Sequence, residues 1–295
     1  MYIDAFKVFC DLVETNSFSK AAVLNNLTQS AVSQQIRNIE IRLGVKLVER
    51  AGRSISLSPE GQAFLRACRA MLRSWENLKG ELSDLKNEIA GRLRVASIYS
   101  IGLHELPPRL KRFQEEFPDV EVHVAYRRSA QVYELVEGGE ADLGLVAYPA
   151  RRGGLVHEIF DEDRLVIICH PKHALGARKR VPLAILDGEK FVGFEPDTPT
   201  RKGIDRQLRE SGVKVAHATD FDNVEMVKRA VEIDSGVSIV PWATVQAEVE
   251  SGQLAAIEIE SPKMSRPLGF ILKKGRVRPA GLKELIAILK APRKG

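Results

Sequence analysis

The stretch Ser19–Arg53, SKAAVLNNLTQSAVSQQIRNIEIRLGVKLVERAGR, limits the possible folds more than any other part of the chain. Two short helical patterns meet there at a tight connection around Leu27-Thr28. The first, Ser19 to Asn25, opens on a hydroxyl able to cap free backbone N–H groups. It carries Ala21 and Ala22, small enough for a close helix crossing. The second opens at Thr28, again a capping residue type, and spaces Ala31, Val32, Ile36, Ile39 and Leu43 along one helix face. It stops at Gly44, the residue type that takes a left-handed C-terminal conformation most easily.

The opposite face of the second helix is polar: Gln29, Ser30, Ser33, Gln34 and Arg37 point outward together. Gln and Ser donate and accept at base edges, Arg pairs with guanine or phosphate, and a helix N-terminus attracts phosphate. Ser19, Lys20 and Thr28 extend this candidate DNA-binding surface. Beyond Gly44, KLVERAGRSISLS reads as a short hairpin with Ala51-Gly52 at its tip and Arg50 and Arg53 flanking it. A helical bundle with a solvated polar face is the competing reading. The order of parts, short helix, tight turn, Gln/Ser/Arg-bearing helix, glycine stop and basic hairpin, is the order a winged helix-turn-helix needs.

Residues 1 to about 90 resemble the LysR-type transcriptional regulators. The resemblance rests on Ala21-Ala22, on TQSAVSQQIRNIEIRLGVKLVER from Thr28 to Arg50, and on SPEG from Ser58 to Gly61. One departure is Val48, where the family more often has Phe; it remains apolar and is expected to plug the core.

From Ser58 a long helical pattern follows, with Ser58 as cap and Pro59 at the first helical position. Phe64, Cys68, Met71, Trp75, Leu78, Leu82, Leu85 and Ile89 form an alternating three- and four-residue seam, the pattern of a coiled coil. A dimer built on it would hold two DNA-reading heads at a fixed spacing, suited to a palindromic operator. The competing reading is a helix packed on its own domain. The family resemblance implies a linker helix here, and a homotetramer formed as a dimer of dimers.

After Ala90-Gly91 strands and helices alternate: strand Arg92–Ile98, helix Leu103–Phe117, strand Val120–Tyr126, helix Ala130–Glu137 and strand Asp142–Ala147. This βαβαβ run predicts a mostly parallel sheet with helices on both faces. Further strands are expected at Arg164–His170, Lys190–Phe194, Ala216–Phe221, Val237–Val240, Leu254–Ile259 and Pro267–Leu272. The intervening helices are Thr200–Glu210, Asn223–Glu232, Pro241–Ser251 and Ala280–Leu289. Crossovers near residues 161 and 266 give two α/β lobes. The layout is similar to the family's two-lobed periplasmic-binding-protein-like (type 2) effector domain.

The fold class is therefore α/β with an all-α winged helix-turn-helix N-terminal domain. The resemblance implies a DNA-binding domain over residues 1–57, a linker over 58–90 and an effector domain over 91–295. In the last, lobe I is 91–161 with 266–295, and lobe II is 162–265.

A small-molecule site belongs in the cleft, at the carboxyl ends of strands. Ser97 to Ser100 end the first strand just before a helix, where hydroxyls and helix N–H groups can hold an anion. Tyr148 follows another strand, DTPTR (Asp197–Arg201) opens a helix, and Asn223 opens a third. Tyr99, Ser100, Tyr148, Thr198, Thr200, Arg201 and Asn223 are the candidate effector residues, several at positions the resemblance implies. Each hydroxyl taken alone equally suits simple helix capping.

Composition supports this assignment. The 295 residues carry a net charge of +5, which suits an anionic partner without naming one. Cys10, Cys68 and Cys169 are far apart, form no CxxC pair and suggest neither a disulfide framework nor zinc. No signal peptide and no bilayer-length apolar run is visible, so a cytoplasmic protein is expected. GxSxG, GxGxxG, GxxxxGK[ST] and HExxH are absent, so no enzyme, metal or cofactor is expected.

The expected partners are double-stranded DNA, a small and weakly favoured anionic effector, and further copies of the chain, with RNA polymerase as an additional candidate. The alternative is a small-molecule-binding protein whose N-terminal helices only mediate assembly. Such a surface would favour apolar residues at positions 29, 33 and 34, where the chain has Gln, Ser and Gln.

Overall fold

The computed structural model describes residues 3–51, 54–85, 89–261 and 264–292. Two compact units are present, Met1–Glu88 and Ile89–Gly295.

In the first unit, α1 (Ile3–Thr15) buries Phe6, Val8, Phe9, Cys10 and Leu12, while Val13 from the expected stripe is half-buried. Tyr2, expected to begin this helix, lies outside the described residues. Helix α2 (Phe18–Leu24) starts earlier than expected. Ser17, not Ser19, is its cap, accepting from the Lys20 N–H. Helix α3 (Gln29–Leu43) keeps Thr28 as cap, with the Ala31 N–H donating to its hydroxyl at 3.1 Å. It ends on Gly44 at φ +68°. Val32, Ile36 and Ile39 are buried, but Leu43, expected on the same face, is 46% exposed as the last residue of the helix.

Strands β1 (Val48–Ala51) and β2 (Ser54–Leu57) form the antiparallel hairpin, Val48 pairing with Leu57 and Ala51 with Ser54. Ala51 is thus in the strand rather than at the expected tip. Val48 packs against the helical core as expected, with Leu47 buried beside it.

Helix α4 (Pro59–Leu85) begins where Ser58 ties three segments together. Its hydroxyl donates to the Lys46 carbonyl and accepts from the Gly61 N–H at 2.9 Å. Gly61 has no room for a side chain, since a Cβ would lie 2.0 Å from the Leu47 oxygen.

The predicted seam divides. The Phe64 ring meets Phe9 edge-on at 5.0 Å, and Cys68 is fully buried in the same helical core. Met71, Trp75, Leu78 and Leu82 remain 40–51% exposed. The Leu85 side chain lies outside the described residues. Ile89, assigned to the seam from sequence, belongs to the second unit and packs against a core there.

The second unit has two lobes. Strand β3 (Gly91–Ser97) leads through a π-helical turn, Ile101–Glu105, into α5 (Leu106–Glu116), so the single helix expected from Leu103 is two segments. Then come β4 (Val120–Tyr126), α6 (Ser129–Glu137) and β5 (Leu143–Ala147). Strand β6 (Leu155–Cys169) is far longer than the expected Arg164–His170. Lobe II holds β7 (Arg180–Val181), β8 (Lys190–Phe194), α7 (Pro199–Glu210), β9 (Ala216–Phe221), α8 (Val224–Glu232) and β10 (Ser238–Pro241). A 3₁₀ turn, Trp242–Thr244, and the short α9 (Gln246–Glu250) replace the one helix expected after Pro241. Strands β11 (Ala255–Ile259) and β12 (Ser265–Lys273) and helix α10 (Ala280–Lys290) complete the chain.

Lobe I is a sheet ordered β4-β3-β5-β12-β6, parallel across its first three strands. Helices α5 and α10 pack on one face, burying Leu106, Phe113, Leu282 and Leu285, while α6 covers the other with Val132 and Val136. Strand β6 then crosses over. Its residues Leu155–Arg164 pair with β12, and from Leu165 onward it pairs with β10 and β11 in lobe II. The chain is back in lobe I by β12, which pairs with β5 and with this first part of β6, the β6–β12 register shifting between Leu268 and Gly269. The lobe II core gathers Ile167, Phe191, Val192, Val227 and Ile239.

Candidate functional site

The outward face of α3 is built by the inward pull of Val32, Ile36 and Ile39. Gln29, Ser30, Gln34 and Arg37 are exposed and Ser33 is half-buried. Small bonds organise the row. The Ser19 hydroxyl donates to Gln29 Oε1 at 3.3 Å, Thr28 and Ser30 hydroxyls meet at 2.9 Å, and Gln34 Nε2 donates to Asn38 at 2.9 Å. Arg37 and Lys20 have no ion-pair partner among the described residues. Arg50 is in β1 opposite Ile55; its side chain, like all of Arg53, lies outside the described residues.

Glu40, which the sequence reading passed over, joins this helix to the wing. Its carboxylate accepts from the Leu47 N–H at 2.9 Å, the Val48 N–H at 3.2 Å and Lys46 Nζ at 3.2 Å. Burial alone would raise its pKa, but these donors together hold it below the ordinary carboxylate range. Asn16 adds a second tie, accepting from the Ile55 N–H at 2.9 Å.

Between the lobes lies a cavity of about 360 Å³, within the size range of small-molecule sites. Tyr99, Ser100, Tyr148, Thr198, Thr200 and Asn223 all line it. Tyr99 stacks on Tyr126 at 6.0 Å. Tyr148 sits at φ +50°, donates from its hydroxyl to the Ser265 carbonyl at 3.2 Å, and lies so close to Gly203 that a Cβ there would be 2.6 Å from that hydroxyl. Burial pushes the Tyr148 phenol up against the opposing charges of Arg266 and Arg206. Thr198 and Asn223 also cap α7 and α8, accepting from the Arg201 and Met226 N–H groups.

Arg201 does not line the cavity. Its guanidinium is buried the other way, donating to Asp205, Asp220 and the Phe194 carbonyl at 2.6–2.8 Å. The next residue, Lys202, faces the cavity instead.

Four further cations at the cavity were not anticipated. Arg127 and Arg128 follow β4 directly, and the rule that ligands sit at carboxyl ends of strands would have found them. Arg128, in lobe I, reaches Glu195 at 2.8 Å and Asp222 at 3.0 Å in lobe II, an ion pair across the mouth. The Asp222 carboxyl is lowered, first by this arginine. Arg152 lies over the Tyr133 ring at 4.1 Å. Arg266 is 1% exposed, donating to Ser100 at 3.1 Å and to Asp163 at 3.1 Å. Among the described residues no group of His, Cys, Asp or Glu has metal-binding geometry, and no helix is long and apolar enough to cross a membrane.

Comparison with known proteins finds two family models that match this chain. Residues 3–62 match the bacterial regulatory helix-turn-helix protein, lysR family, and residues 86–292 match the LysR substrate binding domain. The RuBisCO operon transcriptional regulator of Allochromatium vinosum is 29% identical over 93% of this chain and 91% of its own. The HTH-type transcriptional regulator CysL of Bacillus subtilis is 27% identical over 92% and 91% respectively. The structure of full-length CbnR complexed with its target DNA superposes with a TM-score of 0.75 at 20% identity, covering 98% of this chain and 99% of that one. A helix-turn-helix of this sequence joined to a two-lobed module of this fold places the chain in the LysR family of DNA-binding transcriptional regulators.

Proposed function

We propose that α3 reads an operator through Gln29, Ser30, Ser33, Gln34 and Arg37, that Ser19, Lys20 and Thr28 contact the adjoining backbone, and that Arg50 and Arg53 act from the wing. The exposed polar row over a buried apolar face supports this most directly. The exposed stripe Met71, Trp75, Leu78 and Leu82 pairs with a second copy of the chain. Two heads then meet half-sites one helical turn, about 34–36 Å, apart.

The effector is a small polar anion taken up between the lobes. Arg127 and Lys202 lack ion-pair partners among the described residues, against two lining acids, Asp197 and Asp222, the second of which already pairs with Arg128. Binding to one lobe arrangement in preference to another shifts the population and so the placement of the heads.

The test is anisotropy with duplex DNA from upstream of the gene, at several salt concentrations. Binding is expected to weaken with salt, with Arg37→Ala reducing the slope of log K against log salt by about 1. Binding without salt dependence, or none to any duplex, overturns the assignment of α3.

A further inference from the structure

We propose that Arg266 fixes the hydrogen-bond polarity of the cavity: by donating to Ser100 it leaves that hydroxyl only a proton to offer, so the group bound there is an unprotonated oxygen of an oxyanion and not an N–H donor. This rests on the reading of the cavity as the effector site and adds what its buried wall selects.

A hydroxyl has one proton to give, and it also accepts. The polar groups of the cavity wall divide by which of these roles the fold has already taken. Thr198 has neither left: it donates to the Glu195 carbonyl at 2.9 Å and accepts from the Arg201 N–H at 3.2 Å. Asn223 donates to Asp222 at 2.7 Å and accepts from the Met226 N–H at 3.1 Å. Tyr148 gives its proton to the Ser265 carbonyl. These three side chains hold the framework of the cavity.

Ser100 and Thr200 differ from them. Both line the cavity, at 8% and 7% exposure. Ser100 precedes the π-helical turn, but its side chain caps nothing there. Thr200 is the second residue of α7, whose cap is Thr198, and its hydroxyl has no partner among the described residues. Ser100 has one, Arg266 Nη1 at 3.1 Å. A guanidinium only donates, so Ser100 is the acceptor in that bond. Its own proton has no acceptor among the described residues. A buried donor left unmatched is destabilising, and a ligand oxygen relieves it.

Arg266 is held in place for this role. It also lines the cavity, and Nη2 donates to Asp163 at 3.1 Å, its registered neighbour on β6. The carboxylate balances its charge, so Arg266 lends the cavity direction more than charge. Its rotamer is set before a ligand arrives, which spares the ordering cost at binding. Arg127 and Lys202 attract an anion to the cavity; Arg266, acting through Ser100 as a positioning residue, sets which atom of the ligand is accepted.

The test uses the full chain and two probes of nearly one shape, acetate and acetamide, which differ by an acceptor oxygen against a donor NH2. Thermal melts over a concentration series of each, at constant ionic strength, give apparent dissociation constants by mass action. The unsubstituted protein is expected to prefer acetate, and Ser100→Ala to weaken acetate binding about tenfold. Asp163→Leu with Arg266→Met removes the donor to Ser100 while leaving net charge unchanged and no buried ion stranded. The released hydroxyl then accepts as readily as it donates, and the preference for acetate is expected to fall about three- to tenfold. A role in packing alone would weaken both probes alike and leave their ratio unchanged. Equal binding of the two probes by the unsubstituted protein, acetate binding unaltered in Ser100→Ala, or an unaltered ratio in the paired variant overturns the proposal alone. If neither probe raises the melting temperature of the unsubstituted protein, the reading of the cavity as an anion site fails, and the proposal falls with it.

Discussion

Asp163 and Arg266 are registered partners on the two strands that join the lobes, and their side chains meet at 3.1 Å with 2% and 1% exposure. A buried pair of this kind contributes little net stability, but removing one partner strands the other charge. Asp163→Ala is expected to destabilise the second unit by about 3–5 kcal/mol in urea unfolding, and Asp163→Leu with Arg266→Met to recover most of that. Equal losses in the single and double variants would refute the account.

Glu40 predicts a pH dependence for the first unit. Its folded-state pKa is depressed, so its contribution is present above the ordinary glutamate range and is lost as pH falls through the folded value. Glu40→Gln is expected to flatten the acid limb of stability against pH. Glu40→Ala is expected to cost about 1–3 kcal/mol, because the Leu47 and Val48 N–H groups lose their acceptor. Thermal melts of the residue 1–88 region, followed by hydrogen exchange at Leu47, read both.

Gly61 tests the seat of the long helix. A methyl there would press on the Leu47 carbonyl, which is backbone and cannot rotate away. Gly61→Ala is expected to cost about 1–3 kcal/mol or more. It should also weaken DNA binding, by moving the base of the wing.

Leu78→Asp puts a charge in the middle of the exposed stripe of α4. Sedimentation is expected to show the dimer weakened, with secondary structure unchanged, since Leu78 is 43% exposed in the single chain. Phe64→Asp should instead unfold the first unit, because its ring is packed against Phe6 and Phe9. If Leu78→Asp leaves assembly intact, the stripe is not the contact.

Local rules made α3 legible. Thr28, the spacing of Val32, Ile36 and Ile39, and Gly44 all act within a few residues of one another, and the structure keeps each in its expected role. Ser58 and the strands at Lys190 and Ala216 were readable for the same reason. The misreadings came from pairings distant in sequence. The alternating spacing through Phe64 and Cys68 could not show that α1 covers those two residues. An apolar run at Arg164 did not reveal that the strand begins at Leu155, because Glu158, Asp161, Glu162 and Asp163 interrupt its hydrophobic pattern. Arg201 looked available in DTPTR, and only the fold brings Asp220 to it. Arg266 was missed because its partner Asp163 lies 103 residues away in the chain; Arg128 was readable from its place after β4, but not its reach to Asp222, 94 residues on.

Hydrogen-bonded strand, rather than slack tether, connects the two halves of the second unit along β6, which runs from its pairing with β12 into its pairing with β10 and β11. An opening that keeps this pairing would be expected to twist or bend β6 near Leu165, where its partners change. A molecule that wedges apart or draws in the halves would be expected to act on that strand. Graded substitutions along β6 would be expected to retune lobe opening without touching either the ligand or the DNA.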